Sequence, residues 1–263
     1  ITTVGFRDVL IIGRQKRYET YDLYISKPKP LVQRRYIEEV RERIAADGSV
    51  VAELDMAGVD HAIDALLASG RETVAVSLLH AYANPDHEQA VRDRMSERAP
   101  SLSVSISSEV SPKFREYERT NTTVTNAYVR PIVDRYIGDL EAALEERGFR
   151  DDLLIMQSNG GLVSPAIARD FPVRIIESGP AAGILMCAEV GRAAGFSEIL
   201  TFDMGGRQPN SARLTGVHRP LCRRWRSIWF ATSVAAACRS MCRPSRCWRS
   251  GPGEDPLPVS TAA

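Results

Sequence analysis

The sequence has few cysteines, few lysines and no long apolar run, and these shortages exclude several classes of protein. Only Cys187 precedes residue 207, which leaves no disulfide framework in that part of the chain and fits a reducing cytoplasm. No stretch reaches the roughly 18–20 apolar residues of a membrane-spanning helix, and the first residues lack the pattern of a secretory signal. The formal net charge of +1 offers no basis for binding nucleic acid. We therefore predict a cytoplasmic protein with no membrane or nucleic-acid partner.

The composition changes abruptly after Gly206. Residues 207–263 hold ten arginines, all three tryptophans and four of the five cysteines, but only two acidic residues. Neither helical nor strand periodicity is strong there. Because a GC-rich gene read out of frame produces such a mixture, we predict that 207–263 is an aberrant, out-of-frame and disordered tail; a genuine basic tail is the alternative. The cysteine spacing does not match a structural zinc site.

Helices and buried strands alternate along the first half of the chain. Asp47-Gly48 predicts a hairpin turn, and Asp55 is placed to cap a helix that Gly70 ends. The continuous apolar run over 73–79 predicts a strand buried on both faces. This alternation favours α/β layers. The predicted elements of this half cover 5–10, 37–44, 50–54, 56–69, 73–79, 84–98 and 102–106.

A long helix is predicted next, from about Glu116 to Arg147, with a kink at Pro131. The second half of this helix carries an apolar stripe on one side, so we expect it to link two lobes. Shorter elements follow. They are predicted as a strand over 153–156, a helix over 178–194 and a strand over 198–202.

Three glycine-bearing segments in the second half could contact a phosphate. Ser158–Gly161 follows a predicted strand, Ser178–Gly183 begins a helix, and Asp203–Gly206 ends a strand. Glycines let the backbone approach an oxyanion, the first N–H groups of a helix attract anions, and Asp203 can hold a divalent cation. Taken singly, each segment also fits a plain turn or tight helix packing. The candidate cofactor-binding residues are Asn159, Gly160, Gly179, Gly183, Gly205 and Gly206.

Together these segments resemble the hydantoinase A/oxoprolinase family, whose motifs occur in family order across nearly all of residues 1–206. One motif includes the charged run 113–121, which by itself indicates a solvated helix face. The resembling segments are Thr2-Thr3-x-Gly5-Phe6-Arg7-Asp8-Val9, Tyr21-Asp22-Leu23-Tyr24, Ser107-Ser108-Glu109-Val110, Arg115-Glu116-Tyr117-Glu118-Arg119-Thr120, Asn126-Ala127-Tyr128, Gln157-Ser158-Asn159-Gly160-Gly161, Glu177-Ser178-Gly179-Pro180-Ala181-Ala182-Gly183 and Phe202-Asp203-Met204-Gly205-Gly206.

The resemblance implies an α/β fold of the actin-like ATPase (ribonuclease H-like) type, with the nucleotide between two lobes. It assigns residues 1–120 to the remainder of the N-terminal lobe and 121–206 to the start of the second lobe. It implies ATP and Mg²⁺ as cofactors. Asp203 is then expected to be a catalytic residue and a metal ligand, and Glu109 and Arg115 are expected to be catalytic.

The resemblance also implies a reaction. Such enzymes open a cyclic amide, a hydantoin or 5-oxoproline, after ATP phosphorylates the ring carbonyl oxygen. Many members work with a second subunit, so a hydantoinase B-type partner is expected. Two alternatives stay open: a subunit of a related ATP-dependent ketone carboxylase, and a non-catalytic subunit-interaction module. Glu118 and Asn126 are weaker candidates for the space between the lobes.

The sequence departs from the family pattern at two places. Family members carry an Asp-x-Gly-Gly-Thr phosphate loop well upstream of a position like Ile1. They also follow Gly206 with small hydroxylated residues and an acid, where this chain has Arg207-Gln208-Pro209-Asn210. Pro209 lacks the backbone N–H that a phosphate loop needs. We therefore expect a fragment of a cyclic-amide hydrolase, incomplete at both ends and inactive.

Overall fold

The computed structural model describes residues 1–13, 21, 24, 29–204 and 209–215. The strands are β1 Thr2–Thr3, β2 Glu39–Val40, β3 Arg43–Ile44, β4 Val50–Ala52, β5 Thr73–Val76, β6 Ser103–Ile106, β7 Ile155–Met156, β8 Leu162–Val163, β9 Glu198–Met204 and β10 Pro209–Thr215. The helices are α1 Val9–Ile12, α2 Met56–Ala68, α3 Asp86–Arg98, α4 Ser107–Val110, α5 Glu116–Glu146, α6 Pro165–Asp170 and α7 Ser178–Ala193. Within these residues, no helix combines the length and apolarity needed to cross a bilayer.

The first half of the chain is built on parallel strands. β1 pairs with β2, β5 pairs with β6, and one parallel bridge from Thr2 to Ser77 joins the pairs in the order β2-β1-β5-β6. Side chains alternate between the two faces of a strand. Val74 and Val76 therefore pack with α2 and α3 in the main core, while the Ser77 hydroxyl meets Thr120 of α5 at 2.8 Å. Helices cover both faces, which confirms the predicted α/β class.

Most predicted elements of this half are present with shifted ends. Asp55 caps α2, because its side chain accepts two first-turn backbone N–H bonds at 3.1 and 3.2 Å. Gly48, with φ +86°, lies in the turn between antiparallel β3 and β4. Two expectations were wrong: β2 pairs with β1 instead of extending the hairpin, and the first helix begins at Val9. Gly5 takes a left-handed φ of +91°, which a right-handed helix cannot include.

The predicted long helix is α5, which spans Glu116–Glu146 and contains Pro131. Two of its polar side chains connect the two halves of the chain. The Asn126 side-chain nitrogen donates to a β6 hydroxyl at 3.1 Å and to the Asp170 carbonyl at 3.0 Å. One turn later, Arg130 donates to a β6 carbonyl at 2.8 Å and to the Asp170 carboxylate at 2.7 Å. These bonds hold α5 to the parallel sheet and to α6 at the same time.

The second half contains an antiparallel hairpin of β7 and β8, and a helix, α7, that packs on a hairpin of β9 and β10. β9 is longer than the predicted strand, because Met204 pairs with Pro209, so Asp203 lies inside the strand instead of in a following loop. Residues 209–215 form β10, which corrects the expectation of disorder for that stretch. Pairing with β9 supplies the hydrogen bonds that β10 needs, and hydrophobic periodicity does not reveal such pairing. Residues 216–263 of the predicted tail lie outside the described residues.

Two fully buried charged residues, Glu88 and Arg119, lie at the carboxyl ends of β5 and β6. Glu88 accepts hydrogen bonds from Leu78 N at 2.8 Å, from Ser107 Oγ at 2.6 Å and from the next backbone N–H at 2.8 Å. Arg119 donates to Leu78 O at 2.7 Å, to Ser107 Oγ at 3.1 Å and to a carbonyl before α5 at 3.1 Å. The shared partners join both charges in one satisfied network, which offsets the cost of burying them.

We expect a Glu88→Gln variant to lose part of the pH dependence of stability. Burial raises the pKa of the Glu88 carboxyl above its ordinary value of 4.5. Between 4.5 and the raised pKa, the folded chain holds a proton that the unfolded chain has released, so the free energy of unfolding falls as pH rises. Glutamine does not titrate. Urea unfolding midpoints measured across this range should therefore fall less steeply with pH in the variant, while the exposed Glu146→Gln keeps the wild-type slope; equal slopes in all three would contradict the assignment.

Candidate functional site

The segment 157–161 between β7 and β8 is a tight, internally bonded turn. Gly160 N donates to Gln157 O at 2.9 Å, and Gln157 N donates to Gly161 O at 2.7 Å. The Asn159 side-chain oxygen accepts from Gly161 N at 2.8 Å, so it braces the turn. Gly160 has φ +83°, a left-handed conformation that favours glycine. The turn is therefore preformed.

This turn is fastened to the start of α7. Ser158 N donates to Arg174 O at 2.8 Å, and the Ser158 hydroxyl contacts the Arg174 and Ile176 carbonyls just before the helix. A Cβ atom at Gly160 would lie 2.7 Å from Leu185 Cδ1, on the third turn of α7. A side chain at this position would displace the end of the Leu185 side chain, and it would also be strained by the left-handed φ of Gly160.

The first turn of α7 leaves backbone groups and space for a ligand. Ser178 N donates to Ile175 O at 3.1 Å, and Pro180 has no N–H, so Gly179 carries the first-turn N–H that has no partner inside the helix. Apart from the chain neighbours and the nearby backbone of α7, no atom of the described residues lies within 4 Å of the position that a Cβ would take at Gly179 or at Gly183. Among the described residues, an anion therefore meets no steric obstacle at these two positions.

Asp203 lies at the same end of α7. The chain reverses at Gly195, and Gly191 packs directly on Ile199, so β9 runs back along the helix. From Gly191 to Gly183 the helix rises about 12 Å, and from Ile199 to Asp203 the strand rises about 13 Å. The Asp203 side chain is exposed. By this estimate the carboxylate is at the level of Gly183, on the second turn of α7.

The other two predicted catalytic residues lie elsewhere. The Glu109 carboxylate accepts a 2.6 Å hydrogen bond from Arg92. The Glu109 backbone carbonyl accepts a 3.2 Å hydrogen bond from Arg174, which precedes α7 in the chain. Arg115 is exposed at the start of α5, and its guanidinium lies 5.4 Å from the centre of the Phe114 ring. Within the described residues, no hydrogen bond or ion pair joins either side chain to Asp203. Gly205 and Gly206 fall outside the described residues.

The candidate site fits Mg²⁺ only if phosphate oxygens and water supply most of the metal ligands. In the described part of the chain, no group of three or more His, Cys, Asp or Glu side chains could hold a metal ion. Mg²⁺ is usually bound by one or two carboxylates together with phosphate oxygens and water. Asp203, exposed beside an open helix end, can supply one such carboxylate.

Sequence reasoning missed the backbone strain in this region. Outside glycine, the described residues with left-handed φ are His80 at +56°, Arg115 at +82° and Glu177 at +59°. Glu177 directly precedes α7 and is exposed. Such strain concentrates at functional positions, and no local sequence signal marks it because the surrounding fold imposes it. Two of the three residues belong to motifs that the sequence singled out.

Comparison with known proteins gives two family matches. The model described as hydantoinase/oxoprolinase N-terminal region matches residues 1–99, and the hydantoinase/oxoprolinase model matches residues 119–207. The chain is 40% identical over 206 residues to an uncharacterized protein of Methanocaldococcus jannaschii. It is 36% identical over 208 residues to the caprolactamase subunit alpha of Pseudomonas jessenii, and 33% identical over 219 residues to the acetophenone carboxylase gamma subunit of Aromatoleum aromaticum. Each alignment covers 78% of this chain and 30% of the relative.

Two solved structures share the fold. The ATP-dependent caprolactamase of Pseudomonas jessenii superposes with a TM-score of 0.73 at 34% identity, covering 81% of this chain and 31% of that one. A nucleotide-free acetone carboxylase, studied for ATP-dependent acetone carboxylation, superposes with a TM-score of 0.70 at 29% identity. The superposition covers 82% of this chain and 32% of the acetone carboxylase chain. The chain thus spans about a third of the length of these structures.

Proposed function

The chain belongs to the hydantoinase/oxoprolinase family, and we propose that it forms part of an ATP-dependent enzyme that hydrolyses a cyclic amide. Its relatives include ATP-dependent cyclic-amide hydrolases and ketone carboxylase subunits. The proposal rests on one arrangement: the turn 157–161 is fastened to the segment before α7, Gly179 leaves an open backbone in the first turn of this helix, and β9 runs back along the helix to Asp203. A helix end that attracts anions beside an acidic strand end suits the phosphate chain of a nucleotide.

The proposed reaction uses ATP to make a stable amide reactive. The ring carbonyl oxygen attacks the γ-phosphorus, the bond to the β-phosphate oxygen breaks, and ADP leaves. Water then adds to the activated carbon, which gains a good leaving group in phosphate. Cleavage of the ring C–N bond releases the amine and leaves an acyl phosphate, and a second water hydrolyses this acyl phosphate to a carboxylate and free phosphate. ATP and water are consumed, and ADP and phosphate are released with the opened product.

The residues of this chain have separate roles in the proposal. The Gly179 N–H and the turn 157–161 hold the phosphate chain, because fixed backbone donors need no reorganisation when charge develops. Asp203 would hold Mg²⁺, which when bound would neutralise negative charge on the phosphate chain. Glu109 and Arg115 lie nearer the parallel sheet, and we assign them to the amide-binding side of the site.

The finer architecture is also proposed from the family. An actin-like fold would place residues 1–120 in one lobe and 121–206 in the next, with α5 running between them. The relatives described as subunit alpha and gamma subunit belong to multi-subunit enzymes. We therefore propose a hydantoinase B-type subunit as the partner of the complete enzyme.

Nucleotide binding is the direct test of this proposal. Isothermal titration of the purified chain with ATP and Mg²⁺ should show one saturable site. A Gly179→Val variant should weaken binding, because its side chain fills the space that the phosphate would occupy, whereas Ala68→Val, at an exposed position of α2, should not. A chain that binds neither ATP nor ADP would overturn the proposed site.

A ketone carboxylase is the second candidate function, because the acetophenone carboxylase gamma subunit is 33% identical to this chain. The two reactions consume different co-substrates. A lactam hydrolase releases phosphate from ATP when given caprolactam or hydantoin, whereas a carboxylase needs both a ketone and bicarbonate. Phosphate release measured with each set, on the chain expressed with its partner subunit, separates the two activities.

We also propose that the present polypeptide does not turn over ATP by itself, because Arg207-Gln208-Pro209-Asn210 replaces the hydroxylated residues and acid of the family. Translating the DNA after codon 206 in all three frames tests the origin of this change. A frame that reads Thr-Ser-Thr-Asp or similar would support an out-of-frame tail. If no frame does, the tail is genuine, and a non-catalytic interaction role becomes the better interpretation.

A further inference from the structure

A cavity of about 450 Å³ lies in the first half of the chain, between the parallel strands, α1, α5 and the segment 31–37. Its wall contains no residue of the turn 157–161, of α7 or of β9. It is therefore separate from the proposed nucleotide site. Its volume is within the range of pockets that hold small molecules.

The described part of the cavity wall carries positive charge. Arg7, Arg35 and Arg71 line it, and among the described lining residues there is no aspartate or glutamate. The guanidinium carbons of Arg35 and Arg71 lie 4.8 and 4.2 Å from the centre of the same ring, that of Tyr36. The Nε atom of Arg7 is buried and has no hydrogen-bond partner among the described residues. The nearby Asp8 carboxylate is bound to Arg34 at 2.7 Å.

Most of the remaining wall is apolar, with side chains from α1, from the segment before β2 and from α5. Examples are Phe6, Leu10, Leu31, Ile37 and Val124. A guanidinium with a buried, unpartnered Nε atom beside an apolar wall suits a ligand with an anionic head and an apolar body. Guanidinium groups bind carboxylates through paired, charge-assisted hydrogen bonds, and an apolar body gains free energy by leaving water.

We propose that this cavity binds a small organic carboxylate with an apolar body, whose head group lies against Arg7 and Arg71. The inference of a site rests on the cavity alone. Its identity as a product site rests on the proposed function, because opening a cyclic amide and carboxylating a ketone both create a carboxylate on an apolar skeleton. The cavity thus retains, or senses, the kind of molecule that the enzyme makes.

Calorimetric titration of the full chain with sodium hexanoate tests the proposal, with hexanamide as the uncharged probe of the same shape. Hexanoate should bind in one saturable step and hexanamide at least tenfold more weakly. Arg71→Gln and Arg7→Gln should each weaken hexanoate about tenfold or more, since a hydrogen bond to a charged group contributes roughly that factor. The hexanoate affinity of Arg71→Lys should lie between those of the wild type and Arg71→Gln. The exposed Arg135→Gln variant should bind hexanoate as tightly as the wild type.

Several outcomes would overturn the proposal: equal binding of both probes, hexanoate affinity unchanged in the arginine variants, or displacement of hexanoate by inorganic phosphate at equal concentration. The last result would identify a general anion site. ATP titration of the same variants keeps the two proposals apart. Arginine variants that lose hexanoate binding but still bind ATP would show that these arginines act at the cavity and not at the nucleotide site. If the unaltered chain binds hexanoate but not ATP, the cavity is a carboxylate site, and its proposed role as a product site is wrong.

Discussion

An Asp203→Asn variant is expected to bind MgATP roughly ten- to a hundredfold more weakly than the unaltered chain, as charge-assisted bonds to a metal or phosphate are worth about 1.5–3 kcal/mol each. The exposed carboxylate at the end of β9 is at the level of the first turns of α7. Replacing it with an amide keeps the shape and removes the charge that would attract Mg²⁺. Isothermal titration with ATP, first with Mg²⁺ and then with a chelator, measures the effect.

Comparing ATP affinities measured with and without Mg²⁺ shows whether Asp203 acts through the metal ion. Without Mg²⁺, the variant should bind ATP as well as the wild type or better, because a negative charge near the phosphates has been removed. Asp151→Asn changes an exposed acid of the loop before β7 and serves as the matched control. Equal loss of affinity under both conditions would indicate that Asp203 acts through structure instead of through a metal ion.

An Arg119→Met variant is expected to lose about 3–5 kcal/mol of unfolding free energy, the usual cost of removing one partner from a buried charge network. Arg119 is 1% exposed, and its guanidinium donates to three acceptors, among them Leu78 O and Ser107 Oγ. Methionine fills a similar volume but leaves those acceptors without a donor and Glu88 without a nearby positive charge. Urea unfolding followed by circular dichroism measures the change.

Two further variants test whether the stability loss of Arg119→Met arises from its hydrogen-bond network with Glu88. Arg135→Met alters an exposed arginine of the same helix and should shift the unfolding free energy by less than about 0.5 kcal/mol. Combining Arg119→Met with Glu88→Gln should cost less than the sum of the single changes, because the second change removes the stranded charge. Strict additivity would show that the two side chains are independent.

Family membership and the local elements could be read from the sequence because their causes are local. A helix cap such as Asp55 acts on backbone groups two or three residues away. The turn at Gly48 and the length of α5 likewise depend on neighbouring residues, and the structure contains all three. The family motifs are also contiguous in the chain, so recognising them needed no knowledge of how distant segments meet.

The roles of some motif residues could not be predicted in this way. Asn126 was expected near a site between lobes, and in the structure it is fully buried and bridges β6 to the end of α6, across 44 residues of chain. Arg119 belongs to the charged run 113–121, which by itself indicates a solvated helix face. In the structure Arg119 instead donates a hydrogen bond to the backbone carbonyl of Leu78, 41 residues earlier in the chain. Burial and long-range bonding depend on packing, which a charge pattern does not record.

The sequence by itself determined the family, the α/β class, the long helix and the three glycine-bearing segments, because each follows from short-range chemistry. Only the tertiary structure decided which of these meet. The reversal of the chain at Gly195 brings Asp203 to the level of the second turn of α7, and pairing with β10 keeps that residue within a strand. Glu109 is directed to Arg92 instead. The cavity near Arg7 and Arg71 also arises only when segments distant in the chain pack together, since no local pattern fixes the space between them.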